Sequence, residues 1–351
     1  MKPGPKATFQ FLAKTENAAA VELLVAGLDC DHEAARHYSL RALLERRDEA
    51  GHHAVFKRLA QFDEKSREII AERPARLVRV VAEVLKEGKA EAVKKACDAV
   101  EEFRLYDAAP SLIAALVREN NPHAPVLAQT VLRLTEAFYI ELSENDSSPK
   151  RRDIAGLRDR ITLDLEDSVR KFHRHRQPAA VEALLLLAKQ KNVTLRDLLS
   201  RPDEASYEPI VELLRTSEQG GVVRLLLGLL DDPKSPLVVA EVIGDRTDAK
   251  FVGHLARTVG ATPSRAVAES LKRIRNIAWA AIDHPVFAEL DDAAQEGAVQ
   301  ILVGSSFERN RVFAVLGHLA KRGNAGGRRA AIRALRGFTQ PGTSQIVIDA
   351  L

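Results

Sequence analysis

The chain delivers its apolar residues in short, regularly interrupted bursts, and this punctuation restricts the fold more than any other feature. In 91–116, "EAVKKACDAVEEFRLYDAAPSLIAAL", apolar side chains fall at Ala92, Val93, Ala96, Val100 and Phe103. Spacings of three and four place them on one face of an α-helix. Lys94, Lys95, Asp98, Glu101 and Glu102 occupy the other face. The stretch "LYDAAPS" then turns the chain. Asp107 is placed to cap the next helix, and Pro110 suits its first turn, where no N–H is required. Leu112, Ile113, Leu116 and Val117 form a second apolar stripe. After "RENNPHAP" a third helix begins with "VLAQTVLRLTEAFYIEL". None of these helices can bury its apolar face alone, so each requires neighbours.

The same grammar predicts helices over 31–47, 179–190, 207–218, 220–230, 236–245, 262–282, 293–306, 308–323 and 326–338, with Gly, Pro, Asp and Asn between them. No alternating strand pattern is present. A chain that is 46% apolar but only 5% aromatic suits helices packed through Ala, Leu and Val. Internal similarity points to repetition. "SRAVAESLKRI" and "RRAAIRALRGF" align Arg265 with Arg329, Ala266 with Ala330 and Leu271 with Leu335. "VVAEVIGD" and "VFAVLGHL" share a small-residue helix ending in Ile-Gly or Leu-Gly.

The helices "GRRAAIRALRG", "HEAARHYSLRALLE" and "SPLVVAEVIGD" resemble the second helix of HEAT or HEAT-like repeats, which are related to armadillo repeats. The turn from Asp107 to Pro110 resembles that family's Asp…Pro link between paired helices. The resemblance extends over 18–140 and 179–351. It implies an all-α fold, an α-solenoid or right-handed superhelix of HEAT-like helical hairpins with a continuous core. Three regions follow. Residues 1–140 hold the N-terminal repeats. Residues 141–178 hold a polar loop, "ELSENDSSPKRRD", and a long charged helix with apolar positions at Ile154, Leu157, Ile161, Leu165 and Val169, read as a break or a projection. Residues 179–351 hold the C-terminal repeats. The final "TSQIVIDAL" stops inside a helix, so the array is expected to continue past it.

Composition excludes several classes of function. The net charge is +3, with 29% charged residues, which gives no global drive toward nucleic acid or acidic membrane. Cys30 and Cys97 are far apart and neither lies in a CxxC, so both read as small packing residues in a reducing compartment. The N-terminal "MKPGPKATFQFLAK" is interrupted by Gln10 and Lys14 and does not read as a signal peptide. No apolar run approaches the ~20 residues of a membrane helix. A cytoplasmic protein is expected. GxSxG, P-loop and HExxH patterns are absent, and "NAGG" near 324 reads as a turn between helices. No enzyme activity, cofactor or metal is expected. His32-Glu33 is a single dipeptide, whereas the di-iron deoxyhypusine hydroxylases, which resemble HEAT repeats, hold several on successive repeats. His52, His53, His173 and His175 lack partners at metal-ligand spacing and read as surface histidines.

Two basic faces remain as candidate sites. On a helix over 262–282 whose core face is Val267, Leu271, Ile274, Ala278 and Ala281, the residues Lys272, Arg275, Asn276 and Trp279 gather to one side. Such a stripe can bind phosphate and stack a base; the alternative is that Trp279, the sole tryptophan, packs on a neighbouring helix. HEAT-like alkylpurine DNA glycosylases use a cationic concave surface, but their active site has no residue-by-residue match here. Residues 297–351 carry eight Arg/Lys against two acids. Within them Arg329, Arg333 and Arg336 share a face opposite Ala331, Leu335 and Phe338, and arginine forks suit carboxylates and phosphates. The expected function is a non-catalytic protein–protein interaction scaffold that binds a protein or an acidic peptide. The alternative is a nucleic-acid-binding, repair-like HEAT protein using the basic faces around Trp279 and Arg329.

Overall fold

The computed structural model describes residues 5–144 and 154–350. Most of the polar loop expected at 141–153, and the last residue of the chain, lie outside the described residues. Among the described residues every regular element is helical, with 23 α-helices and three short 3₁₀ turns and no strand. No helix among them is long and apolar enough to cross a membrane. The chain divides into two compact units, Met1–Ala183 and Leu184–Leu351, with the division falling inside the helix Pro178–Leu187.

Within each unit packing is local in sequence. In the first, Pro5–Lys14 packs on Ala19–Leu28 and Glu33–Glu45, and Glu33–Glu45 packs on Glu64–Ala71. In the second, Ala249–Val259 packs on Asp292–Gly304, which packs on Ala325–Leu335. This succession of hairpins, each closed by its neighbours, is the all-α solenoid class. The core follows the sequence stripes. Leu24, Leu43, Val100 and Leu112 are sealed in the first unit, and Leu226, Leu255, Ala298 and Leu316 in the second.

The hairpin at 91–116 departs from its sequence reading in one detail. Helix Ala90–Glu102 buries Val93, Ala96, Cys97 and Val100. Arg104 turns left-handed at φ 47°, and the Leu105 N–H reaches back to the Val100 carbonyl, an αL helix stop. A 3₁₀ turn, Tyr106–Ala108, then intervenes before helix Ala109–Leu116. Ala108, not Asp107, therefore holds the cap position, without a side-chain bond, and Asp107 lies 3.8 Å from Arg160. The charged helix Ile154–Arg170 does not project. It buries Leu157, Ile161, Leu165 and Val169 and packs on Ala109–Leu116 within the first unit.

A recurrent polar device ties hairpins together. The last carbonyls of an α-helix have no partner within it. Arg46, at the C-cap of Glu33–Glu45, donates to the Leu12 and Thr15 carbonyls at 2.7 and 2.5 Å, at the end of Pro5–Lys14. Arg118, just past Ala109–Leu116, donates to the Leu85 and Lys86 carbonyls at the end of Val78–Glu87. Arg246, at the C-cap of Leu237–Asp245, donates to the Leu214 and Ser217 carbonyls at the end of Tyr207–Thr216. In each case a cation meets the negative end of the helix that sits one hairpin earlier. Arg246 is the most enclosed, at 3% exposure, paired with Asp248 at 3.0 Å and stacked over the Phe251 ring.

Backbone contact supplies the second tie. A Cβ on Gly297 would lie 1.9 Å from the Ala256 carbonyl oxygen, so helices Ala249–Val259 and Asp292–Gly304 meet only because that position is glycine. Four substitutions separate these contributions in urea unfolding. Arg246→Met strands two carbonyls and Asp248, and is expected to cost about 2–4 kcal/mol. Arg41→Ala removes only the exposed Arg41–Glu72 pair, and is expected to change stability by under about 0.5 kcal/mol. Gly297→Ala is expected to destabilise by about 1–3 kcal/mol through overpacking. Gly220→Ala, in a first helical turn where nothing lies within 4 Å, is expected to stabilise by about 0.5–1 kcal/mol.

Candidate functional site

The first basic face does not assemble as its periodicity predicts. Ser264 caps helix Arg265–Leu271, and the helix stops there, with 272–281 irregular. The cause is competition from neighbouring hairpins for the backbone. The Ala278 N–H donates to the Gly244 carbonyl at 2.8 Å, and the Ser306 N–H donates to the Ile274 carbonyl at 3.0 Å. Gly244 permits the crossing, since a Cβ there would sit 2.0 Å from the Asn276 carbonyl oxygen. Trp279 is consequently 0% exposed and meets Phe287 edge-on at 5.8 Å. Its indole Nε1 is enclosed without an acceptor among the described residues. Lys272 pairs with Glu269 at 2.8 Å, Asn276 donates to Asp245, and Arg275 is exposed. A stripe of cations around an accessible indole therefore does not form; Trp279 packs inside against Phe287 of a neighbouring helix, the other reading of this face, with the polar groups dispersed around it.

The second face does assemble. Asn324 caps helix Ala325–Leu335 by accepting the Gly327 N–H at 2.9 Å. Gly326 and Gly327 let that helix close onto Asp292–Gly304, where a Cβ would lie 2.4 Å from the Asp292 carbonyl oxygen and 2.1 Å from Gln295 Oε1, respectively. Ala330, Ala331 and Leu335 are buried on the inner side, which leaves Arg329, Arg333 and Arg336 outward. Arg329 lies 3.5 Å from Glu296, a solvated pair of little strength that exchanges readily for another anion. Arg333 and Arg336 have no carboxylate partner among the described residues. Arg309 stacks on Phe338 at 4.2 Å, Arg311 pairs with Glu308, and Lys321 pairs with Asp349. The outcome is a ridge of guanidinium forks on a rigid helix, suited to carboxylates or phosphates.

Among the described residues no three His, Cys, Asp or Glu side chains converge as a metal site. Five histidines make structural contacts, and two of those expected at the surface, His52 and His175, are buried. His52 donates Nε2–H to the Arg46 carbonyl at 3.0 Å, and burial lowers its proton affinity. His175 bonds the Ser168 carbonyl through Nε2 and accepts the Gln177 N–H at Nδ1. His53 meets Glu83 at 2.8 Å. His32 caps helix Glu33–Glu45 through Nδ1, so the His32-Glu33 dipeptide is a helix start. His37 lies 3.3 Å from Asp63, whose carboxyl is held down to about 2 chiefly by Ser66, with smaller help from His37. That contribution to stability is complete above pH 3.8 and is lost as pH falls through about 2. Cys97 is buried, with its thiol pKa raised by burial. Cys30 is half-exposed and faces the His32 carbonyl, so it packs only in part.

Because Trp279 is the sole tryptophan, fluorescence excited selectively at tryptophan, beyond the tyrosine absorption band, reports on it alone. Native emission is expected to be blue-shifted and almost unquenched by iodide, and single-stranded DNA is expected to leave it unchanged. Strong iodide quenching in the folded state would place the indole at the surface and restore a stacking role.

No family model matches the chain, and no curated protein matches it. Among solved structures, the NOT1 superfamily homology domain from Chaetomium thermophilum aligns over 98% of this chain and 88% of that one, at 12% identity and a TM-score of 0.17. A likeness of that size carries no argument about what the chain binds.

Proposed function

We propose that the chain is a non-catalytic protein-interaction scaffold of HEAT-like repeats, and that its Arg329–Arg333–Arg336 face receives an acidic segment of a partner protein. The observation that carries this reading is the exposure of Arg333 and Arg336, without acid partners among the described residues, on a helix locked from behind by Gly326 and Gly327. Rigid presentation lowers the entropic cost of binding, because the backbone that carries the charges is already ordered. The sequence-local succession of hairpins supports the HEAT-like assignment. A free thiol at Cys97 fits a reducing compartment such as the cytoplasm.

The nucleic-acid alternative is less favoured. Its aromatic platform is enclosed, and Lys272 and Asn276 are engaged by Glu269 and Asp245. The deciding experiment measures fluorescence anisotropy of a fluorescein-labelled Glu-rich peptide and of a single-stranded oligonucleotide, each with the wild-type chain and with Arg333→Glu/Arg336→Glu. Charge reversal is expected to weaken peptide binding at least about tenfold, with salt weakening the wild-type complex. Peptide binding indifferent to the reversal would refute the acidic-partner reading. Tighter binding of the oligonucleotide than of the peptide would transfer the face to the nucleic-acid alternative.

A further inference from the structure

A groove of about 530 Å³ opens in the second unit between the segment 282–290 and the last turn of helix Arg309–Arg322. Phe287, Leu290 and Leu319 give it an apolar floor. Its wall is braced by Gln295, only 4% exposed, which donates to the Phe287 carbonyl at 2.6 Å and accepts the Asn324 N–H at 3.0 Å. Asn324 in turn donates to the Leu290 carbonyl at 3.1 Å. The amides of the wall are thus satisfied internally, and the lining is held in place before any ligand arrives.

Three other donors line this groove. His284 accepts the Val286 N–H at Nδ1, which puts its ring proton on Nε2. His318 and Arg322 lie one helical turn apart on the same face. Neither has a carboxylate partner among the described residues, and Asp283 is the one acid that lines the groove there. An apolar floor beneath an arginine and two imidazoles matches an aliphatic residue that carries or adjoins a carboxylate.

We infer that this groove is the anchor pocket of the scaffold, taking an aliphatic side chain on the Phe287–Leu319 floor and a peptide carboxylate at Arg322, His318 and His284. The inference rests on the scaffold reading. Only Gly323 and Asn324 separate Arg322 from the helix that bears the arginine ridge, and both line the groove, so a segment seated there lies at the start of the ridge helix. The carboxylate is the C-terminus of the aliphatic residue itself, which the donors beside the apolar floor can reach while the Glu residues before it remain for the ridge.

The test uses the full chain and a labelled peptide ending Glu-Glu-Leu, prepared as the free acid, as the C-terminal amide, and with both Glu replaced by Ala. His318→Ala/Arg322→Ala is expected to weaken binding of the free acid about tenfold or more. Ala288→Trp, at an exposed lining position, is expected to do the same by filling the groove while leaving the three donors in place. Amidation is expected to weaken binding to the wild type but not to His318→Ala/Arg322→Ala; loss confined to Glu→Ala, with the amide binding like the free acid, would leave the peptide on the ridge and overturn the groove. The groove is excluded if neither peptide change matters. It is also excluded if both groove variants bind like the wild type while Arg333→Glu/Arg336→Glu does not; the arginine ridge then stands alone. If the wild type binds none of the peptides, both readings fall.

Discussion

Each hairpin of this chain ends its helices on carbonyls that no residue of that helix can satisfy, and in three places an arginine from the following hairpin satisfies them. Arg46, Arg118 and Arg246 make the same reach, each to the last turn of the corresponding helix one hairpin back. The reach works only at one separation and one orientation, so it fixes how successive hairpins stack as well as how strongly. Apolar burial alone would hold the layers together but would tolerate sliding, because it is non-directional. Fork-shaped donors on a helix end do not tolerate it.

Glycine sets the remaining distances, and the functional surface follows from them. Gly297 and Gly326 bring three helices of the second unit to backbone contact, and Gly327 makes room for the Gln295 side chain, with small inner residues and long outer ones. An inner face of alanine and glycine leaves no room for arginine, so Arg329, Arg333 and Arg336 must point outward. The same closeness has the opposite effect at Gly244. There the neighbouring backbone diverts 272–281 from its helix and folds Trp279 into the core.

The sequence is legible where periodicity and packing agree. The stripe at 220–230 becomes the helix Gly220–Leu230, and the arginines at i, i+4 and i+7 emerge on the solvent side of Ala325–Leu335. It misleads where tertiary hydrogen bonds override a local pattern. The apolar spacing of 262–282 continues past Leu271, yet the partners that break it, Gly244 and Ser306, lie about a repeat away in either direction. Asp107 has the spacing of a cap but loses the role to an intervening 3₁₀ turn. Helix Ala249–Val259 has no place in the sequence reading, although Asp248 as N-cap and Phe251, Val252, Leu255 and Val259 on one face were signals enough. The groove at His284, His318 and Arg322 has no such signal, because its two walls come from separate hairpins and meet only through packing.

The central claim is that one continuous surface, from the groove to the arginine ridge, receives an acidic protein segment. Hydrogen–deuterium exchange of the full chain, with and without a saturating Glu-Glu-Leu-terminated peptide, tests it most directly. Protection confined to 282–290 and 318–338 is the expected result. Protection centred elsewhere in the chain, or none at saturation, would contradict the claim.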